Sequence, residues 1–297
     1  MNIGEKIKKL RLEKFMTQAE LAGSQITRNM LSLIEKGKAV PSLQTLMYLA
    51  DKLKVSVGYL LAEEEEAAFF GKAEKISEIR LAFSRQNYRI CLDLCQRLLT
   101  EVGEDDELNL LMAECCLEVA KEEFFADRLR AACELLDAAV RYADRSAYRT
   151  EHVRAETELY FDYLENLSPS FVSESIDSSF EGEAYLPTKD EFCRYMLALK
   201  ALEAGEERLV ELYLEKSADR AHPLVKHISA LVCMEKGEYE MAANHLADVL
   251  RSDISIAGTV LYYVFGHLED CCRKLENQKN ATLYAEARAS QFERLLS

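Results

Sequence analysis

TQAELAGSQITRNMLSLIEKG, residues 17–37, holds two short helical patterns separated by a few residues. Thr17 is a favoured helix cap, and Glu20 three positions later completes a reciprocal capping pair. A helix over 18–22 is therefore predicted, and Gly23 breaks it, as a tight turn requires. Thr27 caps a second helix over 28–36, which Gly37 ends. Ile26, Met30, Leu33 and Ile34 recur at i, i+4, i+7 and i+8, the spacing of an inward stripe. Ile26, Met30 or Leu31, and Ile34 are the set expected to lock the helix in place. Thr27, Arg28 and Asn29 at its front are polar. The question is whether that front end is ordinary surface or meets something outside the protein.

The flanking sequence supplies a body for these two helices. Ile3, Ile7, Leu10 and Phe15 fall near one face of a first helix, about 2–14. Pro41 and Ser42 open a fourth over 43–53, with Leu43, Leu46, Leu49, Ala50 and Leu53 expected inside. Ser56 caps a short fifth, VGYLL. Helices joined as tightly as the second and third cross steeply and leave the front of the later one projecting.

Residues 17–61 resemble the helix-turn-helix domain shared by phage repressors and the Xre class of bacterial regulators. Gln18, Leu21, Ala22, Ile34, Glu35, Gly37, Pro41, Ser42, Leu46, Leu49, Ala50, Leu53, Leu60 and Leu61 fill the family pattern. From Leu21 to Glu35 is one position fewer than the commonest spacing, so the turn around Gly23–Gln25 is shortened. The resemblance implies a five-helix, lambda-repressor-like fold that binds double-stranded DNA with the tip of the third helix in the major groove. Arg28 then suits the O6/N7 edge of guanine and Asn29 the N6/N7 edge of adenine. Ser32, one turn on, is placed for a base or a phosphate. Thr17 and Gln18 match positions that touch the DNA backbone, and helix N-termini offer N–H groups to phosphates. Lys36 and Lys38 are candidate phosphate contacts. Both threonines also serve as caps whether or not DNA is bound. Glu35 is expected to brace the helix packing, since phosphate would repel it.

Charge agrees with a DNA-facing head. Residues 1–62 hold ten Lys/Arg against five acids, a formal +5, while the 297-residue chain carries −15, leaving −20 for the remainder. Such a head attracts phosphate and such a body repels it. Only 11 Gly and 4 Pro are too few for the turns of a sandwich, barrel or doubly wound sheet, so an all-α chain is predicted. The amphipathic start, MNIGEKIKKLRLEKF, has no apolar core of a signal peptide. The longest mostly apolar run, AGTVLYYVFG at 257–266, is too short to cross a bilayer. Nine cysteines without an export signal point to a reducing cytoplasm, with no membrane partner.

The expected division is a DNA-binding domain over 1–66 and a helical repeat domain over 67–297, with the acidic block AEEEE at 62–66 at the seam. Gly237, Tyr239 and Ala242 stand at offsets 0, +2 and +5, as do Gln86, Tyr88 and Cys91, then Gly205, Glu207 and Val210, then Glu276, Gln278 and Ala281. These resemble the turns of tetratricopeptide repeats, and about ten helices in five antiparallel pairs are expected. Such pairs must stack to bury a core. The Ser- and Gly-rich stretch 167–187 reads as a longer loop interrupting them. With the head, the body resembles the peptide-pheromone-sensing Rgg/PlcR-like regulators of Gram-positive bacteria. That resemblance implies a homodimer with a peptide or protein effector on a concave face, although no effector-gripping residue can be carried over.

Catalytic and metal signatures are missing from the sequence. Cys91/Cys95, Cys115/Cys116 and Cys271/Cys272 lack CxxC spacing and a nearby His, which favours core packing over zinc. The five His form no HExxH; His222 and His227 could face one groove, but surface or core use is favoured. Tyr262, Tyr263 and Phe265 read as helix–helix core. No phosphate loop or dinucleotide fingerprint is present. The expected function is a DNA-binding transcription regulator without a cofactor, not an enzyme; a scaffold whose head never meets DNA is the alternative.

Overall fold

Each of the first five helices starts at a side-chain cap. Asn2 caps α1 (Ile3–Glu13), Thr17 caps α2 (Gln18–Ala22), Thr27 caps α3 (Arg28–Glu35), Ser42 caps α4 (Leu43–Leu53) and Ser56 caps α5 (Val57–Leu61). In each, the side-chain oxygen accepts the N–H three residues on, one of the donors that a helix start leaves unpaired. The computed structural model describes residues 2–62, 64–168, 171, 190–215 and 219–296, and within α6 the backbone alone over 64–71 and at 74. The described residues contain helices and no strand. No described helix is long and apolar enough to cross a membrane. The chain divides into two compact units, Met1–Leu111 and Met112–Ser297.

In the first unit Ile7, Leu21, Leu31, Ile34, Leu49, Leu53 and Leu60 close a dry core. Packing settles one open alternative and corrects two inward expectations. Leu31, not Met30, joins Ile34 inside, while Met30 and Leu33 lie on the exposed flanks of α3. Leu43 stands one turn ahead of the buried stripe Leu46–Leu49–Ala50–Leu53 and is exposed. Phe15 is 95% exposed, because the backbone turns left-handed there, at φ 55°, and throws the ring outward.

The same core holds charge. The Arg11 guanidinium donates to both oxygens of Glu35, Nε to Oε1 at 2.7 Å and Nη2 to Oε2 at 3.1 Å, and Nη1 donates to the Met16 carbonyl at 2.9 Å. Gln18 Nε2 donates to Glu35 Oε2 at 2.8 Å. One buried carboxylate therefore joins α1, α2 and α3. Gly4 lets α1 lie against the end of α3: a Cβ there would stand 1.9 Å from the Ile34 carbonyl oxygen. Lys6, also buried, donates to the Tyr59 and Ala62 carbonyls at the end of α5. Tyr48 Oη donates to the Ala22 carbonyl at 3.1 Å, and a Cβ on Gly23, whose φ is +54°, would meet that hydroxyl at 2.3 Å.

Beyond the head run α6 (Glu64–Ser84), α7 (Tyr88–Val102) and α8 (Asp106–Phe125). Lys72 joins Asp105 and Glu107 at 2.8 and 2.9 Å. The second unit continues with α9 (Leu129–Arg145), α10 (Glu151–Leu167), α11 (Glu191–Glu203), α12 (Glu207–Glu215), α13 (Pro223–Glu235), α14 (Tyr239–Arg251), α15 (Gly258–Lys274) and α16 (Gln278–Leu296). Residue 63 and the side chains of 64–66 in the acidic block, and residues 169–189 of the expected loop stretch apart from Phe171, lie outside the described residues.

The four proposed turns share one geometry, and a fifth joins them. Gln86, Asp127, Gly205, Gly237 and Glu276 all have φ between 56° and 76°. At each, the N–H reaches the carbonyl three positions back, and the next N–H reaches the carbonyl five positions back. This is the left-handed helix cap. The residue two on opens a helix, and the residue five on (Cys91, Ala132, Val210, Ala242 or Ala281) is buried. These turns join α6 to α7, α8 to α9, α11 to α12, α13 to α14 and α15 to α16, while α10 stands outside the pairing. Within the second unit Asp127 also binds across the array: its Oδ1 accepts the Gly258 N–H at 2.8 Å, and its Oδ2 meets Arg294 of α16.

Gln86 and Glu276 hold a conformation that costs a non-glycine residue about 1–2 kcal/mol. Gln86→Gly and Glu276→Gly should each raise unfolding stability, by several tenths to about 1 kcal/mol once glycine's greater unfolded freedom is subtracted; urea titration measures this. Glu35→Ala, which strands the Arg11 charge, should cost about 3–5 kcal/mol, whereas the double change Arg11→Met with Glu35→Leu should recover most of it. Thermal melting of the two variants beside the parent chain by circular dichroism decides this.

Candidate nucleic-acid interface and a cavity in the body

With its C-terminal end tied down by Glu35, α3 presents its other end to solvent. Arg28 and Asn29, the first two residues of the helix, are both exposed, as are Lys36 and Lys38 just past its end. Ser32 is half-buried. Arg28, Lys36 and Lys38 make no ion pair among the described residues. Thr27 Oγ1 accepts the Met30 N–H at 3.1 Å and Thr17 Oγ1 accepts the Glu20 N–H at 3.2 Å. The Thr27 hydroxyl keeps its own proton to donate, so capping and an outside contact are compatible there. The Glu20 carboxylate accepts the Thr17 N–H at 2.6 Å, and that bond, then the Thr17 hydroxyl, holds its carboxyl below the usual range. Gln18 is half-buried and anchored through its amide nitrogen, which leaves the amide oxygen as its outward polar atom. Sequence reasoning missed Arg11, Lys6, Gly4 and Tyr48, which position this surface. Arg11 and Lys6 read there only as two of ten positive charges.

The second unit contains a cavity of about 470 Å³ between residues of α10, α11, α13 and α15. Tyr163, Tyr195, Tyr263, His227 and His267 form much of its wall. Tyr195 Oη lies 2.8 Å from His227 Nδ1, and His227 Nε2 lies 2.9 Å from His267 Nδ1. With both rings neutral, His227 has a single N–H, so it donates in one of these bonds and accepts in the other. Burial, then the neighbouring His267, holds the His227 pKa well below its ordinary value. Burial outweighs Asp270 and pushes His267 down to about 4. His227 is fully buried, as core use predicts, yet it and Tyr263 also line the cavity. Their placement depends on four helices meeting, which no local spacing reports.

Burial raises the thiol pKa of Cys116, Cys133, Cys193, Cys233, Cys271 and Cys272, which disfavours the reactive thiolate. Burial pushes Cys116 and Cys133 up to about 12 and Cys271 up to about 11. The one cation-holding group among the described residues, Glu156, Asp190 and Cys193, already surrounds the Lys121 ammonium, 2.6 Å from Glu156 and 3.4 Å from Asp190.

The neutral histidine pair makes stability depend on pH. A folded pKa near 4 for His267, against about 6.5 unfolded, means that the unfolded chain binds the extra proton. Its stabilising contribution is complete above about pH 6.5 and is lost as pH falls towards 4, at up to about 1.4 kcal/mol per pH unit. Urea midpoints between pH 7.5 and 4.5 should fall less steeply in His267→Gln than in the parent chain.

Residues 7–60 match the family model described as Helix-turn-helix. The immunity repressor protein of Bacillus phage phi105 is 36% identical over 81 residues, 25% of this chain and 56% of that protein. The match thus spans about half the length of that relative. Among solved structures, this chain is similar at 15% identity and TM-score 0.23 to PlcR of Bacillus thuringiensis in complex with the peptide PapR7 and DNA, over 100% of this chain and 99% of that one. It is similar at 17% and TM-score 0.25 to the apo competence regulator ComR of Streptococcus vestibularis, over 94% and 97%. At that level of superposition neither decides anything about this chain. The head rests on its own geometry and on the matched family: residues 7–60 are a helix-turn-helix domain of the Xre type.

Proposed function

We propose that this protein is a cytoplasmic transcription regulator that binds operator DNA through the front of α3. The observation that carries the reading is the asymmetry of that helix. Its acidic end is buried on Arg11 and Gln18, and its polar front, Thr27–Arg28–Asn29, is free for a groove. The helix-turn-helix match and the phage repressor relative support it. In this reading residues 1–66 form the DNA-binding part and residues 67–297 a tetratricopeptide-like array that dimerises and senses a peptide or protein effector. Arg28 and Asn29 read base edges, Ser32 supports them, and Thr17, Gln18, Thr27, Lys36 and Lys38 hold phosphates. Two heads then span half-sites about 34–36 Å apart, or a multiple of that. The cavity among α10, α11, α13 and α15 supports the sensing role, because it is large enough for side chains of a ligand.

Selection of bound fragments from a random duplex library gives the operator. On that operator Arg28→Ala should cost about 1–3 kcal/mol and relax preference at one base position. Lys38→Ala should instead weaken all sequences alike and reduce the salt slope by about 1. A parent protein with no duplex affinity at low salt, or an Arg28→Ala variant with unchanged base preference, counts against the assignment.

A further inference from the structure

The cavity in the second unit has a chemistry of its own. Its inner wall is aromatic and its two histidines are neutral, so nothing cationic from the protein occupies the interior. Tyr263 Oη is buried and has no hydrogen-bond partner. A buried hydroxyl left unpaired is costly. The rim is acidic. Asp162 is paired with Lys200, but Glu165, Glu203 and Glu235 also line the opening. These three make no ion pair among the described residues. Two of them lie at the ends of α11 and α13, where the negative helix terminus adds to the carboxylate field. An aromatic interior beneath an uncompensated acidic mouth favours positive charge on an apolar stem. The stem gains by leaving water, and the charge is attracted by carboxylates and ring quadrupoles together.

We propose that this cavity binds an ammonium or guanidinium group carried on an apolar stem. The stem lies among Tyr163, Tyr195 and Tyr263, and the charge sits near Glu165, Glu203 and Glu235. This rests on the reading of the body as a sensor and adds the class of group it recognises. Two sources supply the chemistry, a basic side chain of a peptide or a free amine. Lys200, tied to Asp162, is the competing cation at the mouth.

Titration calorimetry on the full chain tests this with matched probes: 4-phenylbutylamine against 4-phenylbutyrate, and a blocked Leu/Phe pentapeptide with a central Lys against the same peptide with a central Glu. At least one cation should bind about tenfold or more tighter than its anionic partner, because the same three carboxylates attract one and repel the other. Binding of the amine alone assigns a free amine, and binding of the peptide alone assigns a basic side chain. The combined change Glu203→Gln and Glu235→Gln should lower that preference severalfold. Lys200→Met should raise cation affinity, a gain that misfolding cannot imitate. Equal binding within each pair, no binding by any cation at millimolar concentration, or a preference unmoved by the Gln changes overturns the assignment. If the anionic peptide binds and shifts operator affinity, the cation assignment fails while the sensor reading stands. If no probe binds and operator affinity does not respond to culture peptide extract, both fail.

Discussion

A single buried carboxylate organises the head. Glu35 has lost its water, and a lone carboxylate in that position would be costly to bury. It is tolerated because a guanidinium meets both of its oxygens and an amide adds a third bond. The three donors and acceptors come from α1, α2 and α3, so satisfying the charge fixes the mutual position of those helices. The apolar contacts of Leu21, Leu31 and Ile34 supply burial but little direction, whereas a bidentate ion pair is directional. Holding the rear of α3 in this way frees its front, and the DNA-binding proposal depends on that division. Gly4 and Gly23 complete the arrangement, because a side chain at either would collide with backbone or hydroxyl atoms of a neighbouring helix.

The body repeats a backbone device more faithfully than a sequence motif. Glycine is the residue suited to a left-handed cap, yet Gln86, Asp127 and Glu276 adopt the same φ and make the same two backbone bonds as Gly205 and Gly237. At Asp127 the reason is visible, since its carboxylate serves Gly258 and Arg294, a use that glycine could not provide. The repeat is therefore degenerate in letters and regular in hydrogen bonds.

The cavity shows how burial converts ordinary residues into a selective environment. In water His227 and His267 would be half-charged at about pH 6.5. In the interior burial favours their neutral forms, and hydrogen bonds link the two rings to each other and to Tyr195. The carboxylates of Glu165, Glu203 and Glu235 are exposed at the mouth, so apolar and acidic surfaces are separated by depth.

Much of this was legible in the sequence because it is local. Thr17–Glu20, Thr27 and Ser42 mark helix starts through bonds that span three residues, and the observed helices begin where these caps predict. The exposed Arg28 and Asn29 follow from the same caps, and the all-α class follows from scarce glycine and proline. The cap at Asp127 escaped notice because nothing in its side chain announces a left-handed turn. Which of Met30 and Leu31 faces inward, that Phe15 and Leu43 face out, and that Arg11 is the partner of Glu35 were settled only by tertiary packing. So was the meeting of Tyr195, His227 and His267, which are far apart in the chain. A helix's start is determined within one turn of chain. The partner of a buried charge and the wall of a cavity depend on which distant helices pack together, and a linear pattern carries no record of that.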